Sequence, residues 1–375
     1  MSVAAVGVHE ELGATVRQFL AEHASLEQTL RRLEEPLGYN QAVWRRMASD
    51  MELPGLAVPE RLGGQGFGFL EQAVVLEEMG RLLYSGPYLA SAVLVPAVLS
   101  ASGDIAAQDR WLPAISAGTT VAAAAICEQT LDWHTSDTVQ TTVEVADGTC
   151  VLDGAKIAVI AGDTAGLLIV LARENQTGAL RLVAVNTDTQ GVEVIPEPVL
   201  DLTRRLARVR FIRARATPIS CIRPVSEVIA RVHDVASVAM ACEQIGAARG
   251  SLELTLDYAR RRVQFGREIG SFQTVRHRLA DLHAGIECAA AAVRDAVRLV
   301  NAEAADLTIP ATTARSVASD ALLDAAESMV QLHGGIRFTW EHPAHLYLKR
   351  AKSAELLLGH PALHRSRLHL ALHGW

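Results

Sequence analysis

Residues 235–282 leave little freedom in how the chain folds. They open with a long apolar helical run whose one acid is Glu243, pass through the triplet Arg260-Arg261-Arg262 to Gln264-Phe265-Gly266, and resume a helical pattern at Phe272, Gln273, Val275 and Leu279. The stretch belongs to a series of long helical candidates at residues 225–262, 272–304, 311–332 and 343–357. Lengths of roughly 20–35 residues with amphipathic stripes predict a four-helix bundle with short joins.

Upstream the pattern changes twice. Residues 10–117 read as helices: Val16, Phe19 and Leu20 share one face by their spacing, and Leu53-Pro54-Gly55 and the glycine-rich residues 63–68 interrupt. The second breaker looks like a dinucleotide loop, but no strand feeds it and no ribose acid follows, so it reads as a flexible connection. The helix that follows, residues 69–84, carries Glu71, Glu77 and Glu78, expected to face water or a neighbouring chain. Residues 121–218 then show a period of two: Val139, Thr141, Val143 and Val145 alternate, and Asp147-Gly148 and Asp153-Gly154 read as turns. Short strands follow at 167–171, 180–185, 192–195 and 208–213. The expected fold is α+β, mostly α. An N-terminal helical domain (1–120) precedes a middle antiparallel β-barrel or sandwich (121–224) and a C-terminal helical bundle (225–375).

Composition narrows the function. With 375 residues, half of them hydrophobic, the chain can bury a large core. A net charge of −7 argues against a nucleic-acid binder. Five scattered cysteines without CxxC spacing argue against a disulfide frame or a zinc site, so no metal is expected. No secretory signal is visible, and the apolar segment at residues 88–99 is too short for a bilayer. The expectation is a cytoplasmic protein with no membrane or nucleic-acid partner. His360/His364 and His369/His373 are spaced by four but lack a carboxylate motif, so they read as soluble helix-end residues.

Two blocks carry a more specific signal. The first is Tyr258-Ala259, Arg262-x-Gln264-Phe265-Gly266, Ile269 and Phe272-Gln273, leading into Arg278-Leu279-Ala280-Asp281. The second is Gln331-Leu332-His333-Gly334-Gly335-Ile336-x-Phe338-Thr339 with Glu341-His342-Pro343. In this order and spacing they resemble the acyl-CoA dehydrogenase family, flavoenzymes that oxidise acyl-CoA thioesters to 2-enoyl-CoA. The resemblance implies FAD as cofactor, an acyl-CoA substrate and an electron-transfer flavoprotein as acceptor. In that family a carboxylate takes the α-proton while the β-hydrogen leaves as hydride, and hydrogen bonds to the thioester oxygen stabilise the developing charge. One subunit lends part of the FAD site to its neighbour. Here Arg262 matches the pyrophosphate-binding arginine with Phe265 beside it, and Gln273, Gln331, Gly334 and Gly335 match positions around the ADP portion. A helix-end cation and a plain helix stop are the structural alternatives.

The half that each chain keeps for its own flavin ring departs from the family pattern. Where members often have Thr-Glu-Pro-Gly-x-Gly-Ser-Asp, residues 127–137 contain no glycine. Ala158 and Ile160 stand where many members place an aromatic residue and a hydroxyl. The usual catalytic glutamate falls on Leu358 and its alternative position on Ala236. Glu243 remains, seven residues beyond Ala236 and about 10 Å along the same helical face. Its helical neighbours Ala239, Met240, Gly246 and Ala247 cannot neutralise it. It is therefore the candidate catalytic base, with pairing to an arginine from another helix as the competing account. Two functional readings follow. One is an active FAD-dependent dehydrogenase using Glu243. The other is a half-site subunit completing a partner's FAD site, similar to two-gene enzymes acting on bulky sterol side-chain thioesters. Both imply an oligomer, either of identical chains or a heterotetramer with a second dehydrogenase-like subunit.

Overall fold

The computed structural model of the chain describes residues 3–35, 37–133, 138–146, 149–340 and 342–374. The Asp147-Gly148 turn, residues 134–137 of the glycine-free stretch and Glu341 of the second block lie outside the described residues.

The N-terminal part is helical: α1 (Val3–His23), α2 (Leu26–Arg32), α3 (Gln41–Ser49), α4 (Phe69–Arg81), a π-helical turn (Leu89–Leu94) running into α5 (Val95–Ser102), and α6 (Ile105–Ser116). Local caps set several starts. Ser25 and Gln28 form a reciprocal capping box for α2, and the side chains of Asn40 and Asp104 cap α3 and α6. The glycine-rich segment is pinned rather than flexible: Gly64, Gln65, Gly66 and Phe67 donate backbone hydrogen bonds to Pro59, Gly55, Val58 and Leu56. A Cβ at Gly64 would stand 2.0 Å from the Val58 carbonyl oxygen, so glycine is required by close approach. The acids of α4 do not simply face water. Glu78 is buried against Arg17 and Arg81, Glu77 pairs with Arg249, and Glu71 with His9.

The middle part is a barrel of β1 (Ala122–Ala125), β2 (Thr142–Ala146), β3 (Thr149–Ile160), β4 (Leu167–Glu174), β5 (Leu180–Asn186), β6 (Val192–Pro196) and β7 (Leu206–Ile219). The order β4-β2-β3-β7-β5 closes through a β4–β5 pairing, with β1 beside β4 and β6 beside β7. It is not purely antiparallel, because β4 pairs in parallel with both β1 and β2. Asp153-Gly154 is not a turn either. It lies within β3 at a register shift against β7, where Gly154 takes φ +142° and a Cβ would meet Thr141 Cα at 2.7 Å. On β7, Arg208, Arg210 and Arg213 face outward while Ala207, Val209 and Phe211 face the core.

The C-terminal part contains α7 (Val225–Arg261), a two-stranded hairpin of β8 (Val263–Gln264) and β9 (Arg267–Glu268), α8 (Gln273–Asn301), α9 (Thr308–His333), a 3-10 turn (Gly334–Phe338), and α10 (Ala344–Leu356). A further helix, α11 (Pro361–His373), packs on α9 beyond the four expected. From Ala236 to Ala248 every residue of α7 is buried, because α4, α5, α8 and α9 surround it. Glu243 thus sits at the junction of the helical parts and the barrel. Among the described residues no helix is long and apolar enough to cross a membrane.

Candidate functional site

The two motif blocks gather at one end of the bundle. α7 stops at Arg262, which takes an extended conformation, and the β8–β9 hairpin turns through Phe265 (φ +53°) and Gly266 (φ +76°). A phenylalanine in the left-handed region is sterically costly. The turn nevertheless holds Phe265 at the tip, 92% exposed, with its ring edge-on to Phe272 at 6.2 Å. Gln273 opens α8 directly after the hairpin. The end of α9 joins this cluster because the Tyr258 ring stacks on His333 at 4.3 Å. That contact brings Gln331, Gly334 and Gly335 toward the Arg262 end. Arg262, Phe265, Gln273, Gln331 and Gly335 are all exposed, and a Cβ at Gly334 or Gly335 would meet nothing within 4 Å. Three exposed side-chain donors, on Arg262, Gln273 and Gln331, thus lie beside uncrowded glycine backbone, an arrangement suited to a phosphate-bearing ligand or a partner.

The opposite face of the chemistry is closed. Cys127 is buried, and Glu128 is tied down from three directions: it accepts hydrogen bonds from Gln140 N (2.6 Å), Thr141 N (3.0 Å) and Lys156 Nζ (2.6 Å). Lys156 is fully buried and also donates to the Ile126 carbonyl at 3.1 Å. Burial pushes the Lys156 ammonium below its usual range, against the pull of Glu128. Burial alone would raise the Glu128 carboxyl, but the Lys156 charge and the hydrogen bonds from Lys156, Thr141 and Gln140 together outweigh it, and the net shift is downward. Beyond this pair, Trp133, Leu131, Ile126, Ala158 and Leu358 enclose a cavity of about 10 Å³, room for one water at most. Trp133, 5% exposed, fills space where the family pattern has glycines. A flavin ring does not fit there.

Glu243 is buried but not alone. Its Oε2 accepts from Arg204 Nη2, and both side chains are nearly inaccessible. The neighbours within α7 indeed leave Glu243 uncompensated; its partner is an arginine, as in the competing account, but it comes from the loop before β7 and not from another helix. The same loop is anchored from α10, where Arg350 donates to Asp201 at 2.8 Å and to the Thr203 carbonyl at 2.9 Å. The cavity beside Glu243, also bordered by Tyr84 and Arg205, measures about 20 Å³ and has no room for an acyl group.

Leu358, the position of the usual base, is 1% exposed and held at φ +59°. Its carbonyl oxygen lies 2.9 Å from His233 Nε2 and 3.0 Å from His364 Nε2. A carbonyl only accepts, so each ring nitrogen is the donor. Arg315, fully buried, donates to the Leu357 carbonyl at 3.0 Å from the other side. His364 is thus a buried clamp and not a soluble helix-end residue. Burial, aided by the Arg315 charge, pushes its pKa down to about 3. Contiguous motifs marked the Arg262 end in the sequence, whereas Arg204 and Lys156 act through partners 39 and 28 residues away, Trp133 through bulk, and His364 through a backbone carbonyl that no side-chain motif records.

Comparisons with known proteins bear on the family and the fold. The family model described as acyl-CoA dehydrogenase, N-terminal domain, matches residues 8–119, and that for the C-terminal domain matches residues 227–372. The acyl-CoA dehydrogenase IpdE2 of Mycobacterium tuberculosis is 35% identical over 354 residues, covering 93% of this chain and 92% of that protein. Among solved structures, the ChsE4-ChsE5 complex from Mycobacterium tuberculosis has a TM-score of 0.87 at 26% identity, covering 97% of this chain and 96% of that one. The Tcur3481-Tcur3483 steroid ACAD has a TM-score of 0.87 at 27% identity, covering 98% of both chains.

Proposed function

This chain belongs to the acyl-CoA dehydrogenase family, and on that premise we propose that it is a half-site subunit of a heteromeric, FAD-dependent enzyme for bulky, steroid-type CoA thioesters. The reading rests on one contrast: the lending end is open and exposed, while the flavin-ring end is filled by Trp133 and capped by Leu358. The similarity to a ChsE4-ChsE5 complex and to a steroid ACAD with a paired name supports both the second subunit and the substrate class.

In this reading Arg262 holds the cofactor's pyrophosphate, Gln273 and Gln331 hydrogen-bond its ADP portion, and Gly334-Gly335 allow close backbone approach. Phe265 packs beside the pyrophosphate, across the subunit boundary. FAD, when bound, supplies the two-electron sink that no side chain offers. The partner contributes the ring pocket and the base for α,β-dehydrogenation to the 2-enoyl-CoA, and an electron-transfer flavoprotein takes the electrons. Glu243 serves as the buried counter-charge of Arg204.

The test is flavin content and acyl-CoA oxidation of the chain purified alone and after co-expression with a second dehydrogenase-like subunit. The expected result is a colourless chain alone and one FAD per heterodimer in the complex. One FAD per chain without a partner, together with turnover abolished in a folded Glu243→Gln variant, would instead make Glu243 the base of an active enzyme.

A further inference from the structure

We propose that the cleft between α1, α4 and α8 is a second ligand site, shaped for an amphipathic molecule with a compact apolar body and an anionic end. The cleft encloses about 570 Å³, within the roughly 300–1,000 Å³ typical of small-molecule sites and far larger than the cavities near Glu243 and Leu358. Its floor is apolar, formed by Ala73, Val74, Ile245, Ala290, Val293 and Val297. Small side chains on α4 and α8 hollow it. Gly13 on α1 completes the wall, where an added Cβ would stand 3.3 Å from Val74.

The cleft is lined by three acids and three arginines, but they are not equally closely paired. Two acids of its wall are already neutralised from within the chain: Glu78 by Arg17 at 2.7 Å and Arg81 at 3.2 Å, and Glu77 by Arg249. The rim on α8 carries Arg294 and Arg298, one turn apart, with side chains 58% and 59% exposed. Their carboxylate neighbours, Glu287 and Asp295, lie at 4.0 and 3.7 Å, beyond hydrogen-bond range. Two guanidinium forks above an apolar floor match a carboxylate, sulfonate or sulfate joined to a hydrophobic body. Glu10, on the α1 lip, directs that anionic end toward α8 by repulsion. None of these residues belongs to the flavin-lending end, so the inference stands or falls separately from the half-site reading.

The experiment titrates 8-anilinonaphthalene-1-sulfonate, an apolar body with one anionic group, into the chain alone and into its co-expressed complex, with cholate as competitor. The expected result is one probe per chain in both, displaced by cholate. The Kd should rise about tenfold or more in the surface double variant Arg294→Glu/Arg298→Glu, and binding should vanish in Val74→Trp. Flavin content and turnover of the complex should stay unchanged in the arginine variant, which also shows that it folds. Probe binding unaltered by the arginine reversal overturns the proposal. So does loss of the site on complex formation, which would make the cleft a subunit contact.

Discussion

The Arg262 end and the Leu358 interior of this chain are built on opposite terms. At the first, side chains that could bond are left facing outward: Arg262, Gln273 and Gln331 are exposed, and Phe265 stands 92% exposed on a turn that disfavours it. At the second, the described residues that stand at the family's chemical positions are largely packed or paired. Trp133 fills, Leu358 replaces an acid, Lys156 locks Glu128 and Arg204 locks Glu243. On the proposed half-site reading, the difference teaches that a fold can shed one half of a shared site while retaining the other, because the halves depend on different residues and different elements.

The largest effect should come from the interior. Glu243→Ala leaves the Arg204 charge buried without its partner, so chemical denaturation should show a loss of about 3–5 kcal/mol. Turnover of the complex should then fall only in step with the folded fraction. Next is Arg262→Ala, which removes a charge-assisted contact to phosphate: flavin retained by the complex, read from its visible absorbance, should weaken about 10- to 100-fold. The melting temperature of the chain alone should not move, since Arg262 is exposed. A chain that loses stability instead would erase the contrast between the two regions.

Acid provides a third test, again directed at the interior. The folded pKa of His364 is about 3, well below its ordinary 6.5, so the unfolded chain takes up a proton that the folded chain refuses. Stability is therefore complete above about pH 6.5 and is lost as pH falls toward 3, by about 2 kcal/mol at pH 5 from this residue. Denaturant midpoints between pH 7 and 5 should show the slope, and His364→Gln should flatten it. The smallest effect is expected from Phe265→Ser, under about 0.5 kcal/mol on the isolated chain. Sedimentation of the complex should nonetheless show weaker association.

How much of this was legible in the sequence follows from how local each signal is. Helix periodicity placed α7, α8, α9 and α10, and two contiguous motifs marked the residues at their ends. α11 was missed because three of its four leucines, Leu363, Leu370 and Leu372, point outward and form no buried stripe. The parallel pairing of β4 was hidden because alternation records which face is buried and not which strand lies alongside. β1 is four alanines, without the branched side chains that announce a strand. Arg204 lies 39 residues before Glu243 in an irregular loop, so no helical spacing could join them.

The Phe265 turn carries a consequence for the living cell. If the half-site proposal holds, a subunit made without its companion displays a bare aromatic ring beside exposed Val263, the kind of surface that quality-control machinery recognises. Surplus copies are then candidates for rapid clearance, and matched synthesis of the two polypeptides becomes the economical arrangement. Balanced production would thereby be enforced by a single hairpin.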